Sequence, residues 1–265
     1  EWLDKRRHSL VTKVLSSSSG QQVEVQFQVC PSQESSRVPK TSGPLRLPPL
    51  INPRYTFDNF VVGASNRLAY AAALAAAEEP GRSYNPLFIH GAPGVGKTHL
   101  AHAIANDASQ SGFKVVYAST EQFTNEFVNS LKERRAEEFR SKFRNTDLLV
   151  IEDVQFIVGK PQTQETLFHT FNDLYNASRQ LVITSDRTPA SLTSVDTSLW
   201  SRLGSGLVAE VEAPDIDTRL AILRARAKQR QISIDDSVFE YIAKQCQRSV
   251  RELEGSFNRV IAYAN

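Results

Sequence analysis

The run Gly91-Ala92-Pro93-Gly94-Val95-Gly96-Lys97-Thr98 has the spacing GxxxxGK[ST] and directly follows the apolar segment Leu87 to His90. Glycines at these places let successive backbone N–H groups wrap a phosphate, and a helix beginning near Lys97 turns its positive end toward the same anion. Lys97 then neutralises the β/γ oxygens and Thr98 ligates Mg²⁺. The motif therefore predicts ATP or ADP with Mg²⁺, held by Gly91, Gly94, Val95, Gly96, Lys97 and Thr98. A glycine turn that ends in Lys-Thr by accident is the competing reading, and the strand before it and the helix after it count against that.

Farther on, Leu148-Leu149-Val150-Ile151 ends in Glu152-Asp153. A buried strand ending in two carboxylates delivers them to the carboxyl edge of its sheet, where open α/β folds keep their ligand crevice. Alone, such a pair is an ordinary strand end. Beside a phosphate loop it predicts a magnesium site, with Glu152 and Thr98 on the metal and Asp153 toward the attacking water. The order familiar in AAA+ proteins, Asp then Glu, is reversed here. Asp153 has the shorter reach, which predicts slow hydrolysis suited to a timer.

Further polar residues extend this constellation. Leu181-Val182-Ile183-Thr184 leads into Ser185-Asp186-Arg187, and in a sheet wound as in AAA+ proteins Asp186 lies beside the phosphates as sensor I. Ser201-Arg202-Leu203 follows a short helical pattern, where AAA+ proteins carry an arginine that reaches the γ-phosphate of a neighbouring subunit. A solvated surface arginine is the plainer alternative. Ser249, with Glu252 three residues on, forms a capping box that sets Arg251 in the first turn of a helix, pointing away from Val250 and Leu253. A cation there opposes the helix dipole, so it needs an anion. A nearby Glu is one choice, and the phosphate loop favours the γ-phosphate, which makes Arg251 sensor II. His99 and His102 lie on the helix after the loop, with no carboxylate or cysteine to complete a metal cluster. Packing or solvated roles suit both, and His99 is counted among the nucleotide's neighbours.

The elements that must position these residues follow from the apolar pattern. Unbroken runs at Pro86 to His90, Lys114 to Ala118, Leu148 to Ile151, Leu181 to Thr184 and Leu207 to Val211 predict buried parallel strands. Helical patterns lie between them, the clearest with Leu167, Phe168, Phe171, Leu174 and Tyr175 on one face. This alternation predicts an α/β domain of AAA+ P-loop type, a three-layer parallel sheet, over residues 51–213. Beyond Pro214 the pattern is helical only, with Leu220, Ile222 and Leu223, then Val238, Tyr241 and Ile242, then Val250, Leu253, Phe257, Val260 and Ile261. It predicts a small all-α lid domain over 214–265. Ahead of both, Glu1 to about Leu15 suits a short helix and Val23 to Val29 alternates as a strand with one wet face, so 1–29 reads as part of another domain. Residues 30–50, rich in Pro, Ser, Arg and Lys, read as a linker.

Composition narrows the partners. The 265 residues are 40% hydrophobic and 23% charged with a net charge of +2, enough for one sizeable core and no general demand for nucleic acid. Only Cys30 and Cys246 are present, without a CxxC pair, which argues against a disulfide framework and fits a reducing cytoplasm. The longest apolar stretches fall far short of the roughly 20 residues of a membrane span. Met is absent even at position 1, which reads as a piece of a longer protein.

The segment Ile51-Asn52-Pro53-Arg54-Tyr55-Thr56-Phe57-Asp58-Asn59-Phe60-Val61-Val62-Gly63, with His169-Thr170-Phe171-Asn172 and Arg251-Glu252-Leu253-Glu254-Gly255, resembles the DnaA family of bacterial replication initiators over residues 51–265. Residues 1–29 resemble the end of that family's N-terminal interaction domain. The resemblance implies an initiator that binds ATP, with Val61 and Val62 also at the nucleotide, and assembles head to tail with further copies of itself into a filament at the origin. It implies an inserted helix pair, matched by Glu121 to Asn145, that grips single-stranded origin DNA, with Val128 and Lys132 as candidate contacts. Replicative helicase or other initiation proteins are implied partners of the N-terminal piece. Glu133, Glu137 and Glu138 interleave with the cations of the insertion, so a salt-bridged, solvated face is the plainer reading of those charges. Departures from the family's pattern are Ala92-Pro93 in the loop, Ser198 where an additional arginine is usual, and Gln162 where a channel-lining Arg or Lys is common. The chain stops at Asn265, where the family's helix-turn-helix domain begins, so recognition of duplex origin boxes is not expected. A helicase loader or regulatory adaptor of the DnaC or Hda kind is the alternative, with a conventional ATP-hydrolysing motor third.

Overall fold

Short apolar strands pair into one parallel sheet: β1 (Leu87–His90), β2 (Val115–Ser119), β3 (Leu148–Glu152), β4 (Gln180–Ser185) and β5 (Leu207–Glu210), in the order β2-β3-β4-β1-β5. These come from a computed structural model, which describes residues 51–192 and 195–264. The helix, strand and linker expected before residue 51 lie outside the described residues. Register brings the strand ends level: His90 faces Ser185, Ile151 faces Ile183, and Ser119 faces Glu152. The loop after β1 and the polar ends of β3 and β4 therefore share one edge.

The strands are apolar without alternation because both faces are covered. Leu87, Ile89, Leu148, Val150 and Val182 turn to one face, under α1 (Arg67–Glu78) and α2 (Lys97–Gln110). The alanines of α1, all but solvent-free at Ala69, Ala72, Ala73, Ala76 and Ala77, let it lie close on α2. Phe88, Leu149, Ile151, Leu181 and Ile183 turn to the other face. There they meet α3 (Thr120–Lys132), α4 (Ala136–Arg144), α5 (Pro161–Asn176) and α6 (Thr197–Leu203). Burial of this aliphatic and aromatic surface, at about 25 cal/mol per Å² removed from water, is the main force holding the layers.

On α5 the expected stripe holds except at its edge, since Tyr175 is exposed while Leu167, Phe171 and Leu174 are buried. Arg202 belongs to the last turn of α6 rather than to the segment after a helix. The lid comprises α7 (Ile216–Gln229), α8 (Asp236–Gln245) and α9 (Val250–Ala264), closed around Leu223, Phe239, Leu253 and Phe257. Here the inward aromatic is Phe239, and Tyr241 is 67% exposed. With α8 beginning at Asp236, Phe239, Ile242, Ala243 and Cys246 recur on one face, which leaves Tyr241 on the other. Acidic caps secure the lid helices: Asp215 accepts from the Thr218 N–H at 2.8 Å and Asp235 from the Ser237 N–H at 2.9 Å. Among the described residues no helix is long and apolar enough to cross a membrane.

Candidate nucleotide site

The loop between β1 and α2 is built on glycines that the geometry requires. Gly94 has φ +81°, and a Cβ placed on it would meet the Cβ atoms of both Arg251 and Ser249 at 3.1 Å. Its carbonyl accepts the backbone N–H of Val250 at 2.9 Å and of Arg251 at 3.3 Å. The tip of the loop is thus docked on the first turn of α9, whose start is fixed by Ser249 Oγ accepting the Glu252 N–H at 3.1 Å. Arg251 is exposed there, close enough for its charge to depress the pKa of Lys97.

Lys97 is buried, and its Nζ donates to the carbonyls of Gly91 at 2.8 Å and Ala92 at 3.0 Å. Burial lowers its pKa, and the charges of Asp153, Asp186 and Glu152 oppose that. The carboxylates expected around the loop therefore converge on its lysine. Burial raises the pKa of Glu152, while the neighbouring Tyr117 and Thr98 hydroxyls act to lower it. Two acceptors stay unsatisfied: Glu152 Oε1 and Asp186 Oδ1 are buried without a hydrogen bond, the latter with Arg187 Nε 3.5 Å away. A buried acceptor without a donor costs about 1–3 kcal/mol, more when charged. Their placement around a lysine, under a glycine loop and a helix N-terminus, fits a ligand that carries donors or cations among phosphates. A carboxylate and a hydroxyl, Glu152 and Thr98, also fit a hard divalent cation that takes its other oxygens from phosphate and water. Among the described residues no group of three or more His, Cys, Asp and Glu would hold a metal by itself.

Asp153 takes a left-handed conformation, φ 54° and ψ 53°, uncommon for a residue with a side chain. Its N–H donates to Thr184 Oγ1 at 3.1 Å, and its Oδ1 accepts from Gln155 Nε2 at 3.1 Å. Gln155 Oε1 in turn accepts the Asp186 N–H at 3.3 Å. Gln155 thus ties the end of β3 to the end of β4, a role that its neutral side chain did not signal in the sequence.

Beside the loop a cavity of about 480 Å³ opens between the entry segment, α2 and the lid, with Val61, Val95, Ile222 and Val250 on its walls and Arg226 and Glu254 at its rim. Its size and apolar walls suit a flat heterocyclic base. Val62 does not line it and is 43% exposed. His99 does line it: Nε2 donates to the Thr56 carbonyl at 2.8 Å, and Tyr55 and Phe60 pack on the ring. Burial lowers the pKa of His99. Arg226 and Glu254, absent from the sequence expectations, pair at 2.5 Å and link α7 to α9.

Arg202 is not part of this convergence. It is exposed on α6, with Cζ 5.8 Å from the centre of the Tyr175 ring. The candidate DNA residues lie elsewhere again. Val128 is 38% exposed on α3, a helix that packs on the turn Val154–Ile157 with its exposed Phe156, and Lys132 ends the helix. Most cations of the helix pair are already matched: Arg135 by Glu133 and Glu138, Arg140 by Glu137, Lys142 by Glu126 and Arg144 by Asp173. Lys132 and Arg134 have no ion pair among the described residues.

Comparison with known proteins bears on the same residues. A family model for the bacterial DnaA ATPase domain matches residues 51–210. The chromosomal replication initiator protein DnaA of Thermoanaerobacter sp. strain X514 is 51% identical over 217 residues, 81% of this chain and 49% of that protein. The chain therefore spans about half the length of the curated relatives it matches. Domain III of the Thermotoga maritima replication initiation protein DnaA superposes with a TM-score of 0.77 at 44% identity, covering 80% of this chain and 90% of that one. A replication initiator DnaA bound to AMPPCP and single-stranded DNA gives 0.76 at 40% identity, covering 80% and 66%. The DnaC helicase loader, at 18% identity and a TM-score of 0.55, shares the fold alone. Since the family model spans the phosphate loop, both strand-end carboxylates and the arginine of α6, the chain belongs to the DnaA family.

Proposed function

We propose that this chain is the ATP-switched core of a replication initiator: it binds ATP with Mg²⁺, assembles head to tail when ATP is bound, engages single-stranded origin DNA, and resets by slow hydrolysis. The observation that carries this reading is the docking of α9 on the loop, where Gly94 accepts two N–H groups from the lid and Arg251 comes to the lysine of the site. A base in the 480 Å³ cavity and phosphates under the loop would touch both domains, so the nucleotide would set how 214–265 sits on 51–213. Residues 1–29 and 30–50 are, in this reading, an interaction piece for helicase or other initiation proteins and its linker.

Within the site each residue has a task. Lys97 leaves the Gly91 and Ala92 carbonyls to meet the β/γ oxygens, and the loop N–H groups cradle the chain of phosphates. Thr98 and Glu152 would hold Mg²⁺, which supplies charge neutralisation across the phosphates. Asp153, held by Thr184 and Gln155, orients the attacking water at short reach. Asp186 and Arg251 report the γ-phosphate within one subunit. Arg202, exposed and outside its own site, reaches the γ-phosphate of the next subunit.

The test is assembly. An ATP analogue is expected to enlarge the particle in light scattering, ADP is not, and Arg202→Ala is expected to abolish the enlargement while binding ATP normally. Normal assembly by Arg202→Ala would remove the arginine from its role. Turnover of many ATP per second by the monomer would rule out the timer.

A further inference from the structure

A hydrogen-bonded chain runs from the start of the described segment through His102 to Tyr117, beside the metal-side carboxylate, and its direction follows from its donors. The backbone N–H of Asn52 donates to His102 Nδ1 at 3.3 Å. A backbone N–H can only donate, so Nδ1 must accept and the ring proton sits on Nε2. His102 Nε2 lies 3.1 Å from the Tyr117 hydroxyl, and the two rings stack at 4.3 Å with 12° between their planes. Tyr117 Oη thus accepts from His102 and has only its own proton left to give. Glu152 lies next on the same sheet face, close enough for the hydroxyl to hold its carboxyl down.

The fold places these groups in line. Thr98 and His102 are one turn apart on α2. Tyr117 lies opposite Val150 in the ladder, so it shares a sheet face with Glu152 two residues on. The entry segment is fastened at the same place: Asn106 Nδ2 donates to the carbonyls of Asn52 at 2.9 Å and Tyr55 at 2.8 Å, and the Tyr55 ring stacks on His102 at 5.4 Å.

We propose that His102 and Tyr117 are positioning residues for Glu152: the docked entry segment holds His102 as the Nε2–H form, His102 orients the Tyr117 hydroxyl, and Tyr117 aims one carboxylate oxygen while leaving Oε1 for the cation. This rests on the nucleotide reading above. Burial keeps His102 neutral, with its pKa lowered to about 4, so Nδ1 stays free to accept the Asn52 N–H at neutral pH. A hydrogen bond behind a metal ligand fixes the ligand's rotamer, and losing one typically costs roughly 10–100-fold in metal affinity.

The experiment measures retention of fluorescent N-methylanthraniloyl-ADP by the whole chain as Mg²⁺ is titrated, and again in EDTA. Tyr117→Phe keeps the buried ring and removes one oxygen. It is expected to raise the Mg²⁺ needed for half-maximal retention roughly ten-fold while changing binding in EDTA by less than about two-fold. His102→Phe, which keeps the stack, should shift the midpoint in the same direction by less. His102→Gln, whose amide can donate near the Nε2 position, should restore it. An unchanged midpoint in Tyr117→Phe overturns the proposal, as does an equal loss with and without Mg²⁺, which marks a merely structural role. If the unaltered chain retains no nucleotide at any Mg²⁺ concentration, the nucleotide reading itself fails, and that result is distinct from both.

Discussion

The crevice at the carboxyl edge of the sheet and the outer face of the inserted helices are both charged, and they dispose of charge in opposite ways. In the crevice, residues from β1, β3, β4 and the lid meet around Lys97, and two carboxylate oxygens are buried with no donor. Across the helix pair and its turn, Arg135, Arg140, Lys142 and Arg144 pair with acids of the same segment or of α5. Unsatisfied buried acceptors are expensive and persist where a ligand satisfies them. Exposed ion pairs are individually worth about 0–1 kcal/mol and signal solubility as much as binding. The crevice therefore carries information about a ligand in its geometry, and the helix face carries it mainly in what is left over: Lys132, Arg134 and the exposed Val128.

Breaking the crevice should produce the largest effect. Lys97→Ala removes the cation buried beside Glu152, Asp153 and Asp186, and with it two or more charge-assisted bonds that the proposed site would make to phosphate. At about 1.5–3 kcal/mol for each such bond, ATP binding is expected to weaken on the order of 100-fold or more. Filter retention of labelled ATP checks this, with thermal melting to confirm that the variant is folded. An affinity within a few-fold of the unaltered chain would mean that the orphaned acceptors serve something other than a nucleotide.

A finer cut separates holding a nucleotide from acting on it. Gln155→Ala cuts the tie from Asp153 to Asp186 without touching the loop. Hydrolysis in a single turnover is expected to fall on the order of ten-fold, because Asp153, proposed to orient the water, loses its support, with ATP affinity nearly unchanged. Equal losses in both would make Gln155 a packing residue.

These contrasts also explain what was legible from sequence. The phosphate loop and the five strands stand out because their signals are local: glycine spacing, and apolar runs that both sheet faces demand. Asp186 and Arg251 were placed by their position after a strand and at a helix start. Gln155, His102 and Tyr117 were not, since they act through contacts between elements far apart in the chain and carry no formal charge. On α8 the expected stripe through Val238, Tyr241 and Ile242 and the buried one through Phe239, Ile242 and Cys246 differ by about one residue, roughly 100° around the helix, and packing within the lid core selects the second. The charges of Glu121 to Asn145 were ambiguous for a physical reason. Interleaved signs allow a binding face or a self-paired one, and only side-chain placement shows which cations are spent.

That last distinction yields the smallest effect and the sharpest test of the helix face. If single-stranded DNA runs past Val128 and Lys132, only a cation not already paired adds to the electrostatic term. Each phosphate contact on a single strand contributes roughly 0.7 to the slope of log affinity against log salt. Lys132→Ala is therefore expected to weaken binding of a dT oligonucleotide in the ATP-bound state a few-fold and to reduce that slope by roughly 0.7. Arg140→Ala, which removes a cation held 3.5 Å from Glu137, should leave the slope unchanged because the freed acid offsets the loss. Fluorescence anisotropy across a salt series separates the two variants. If both lower the slope alike, the ion pairs of the helix face open on binding, and the leftover-charge argument is wrong. If neither does, the strand passes elsewhere.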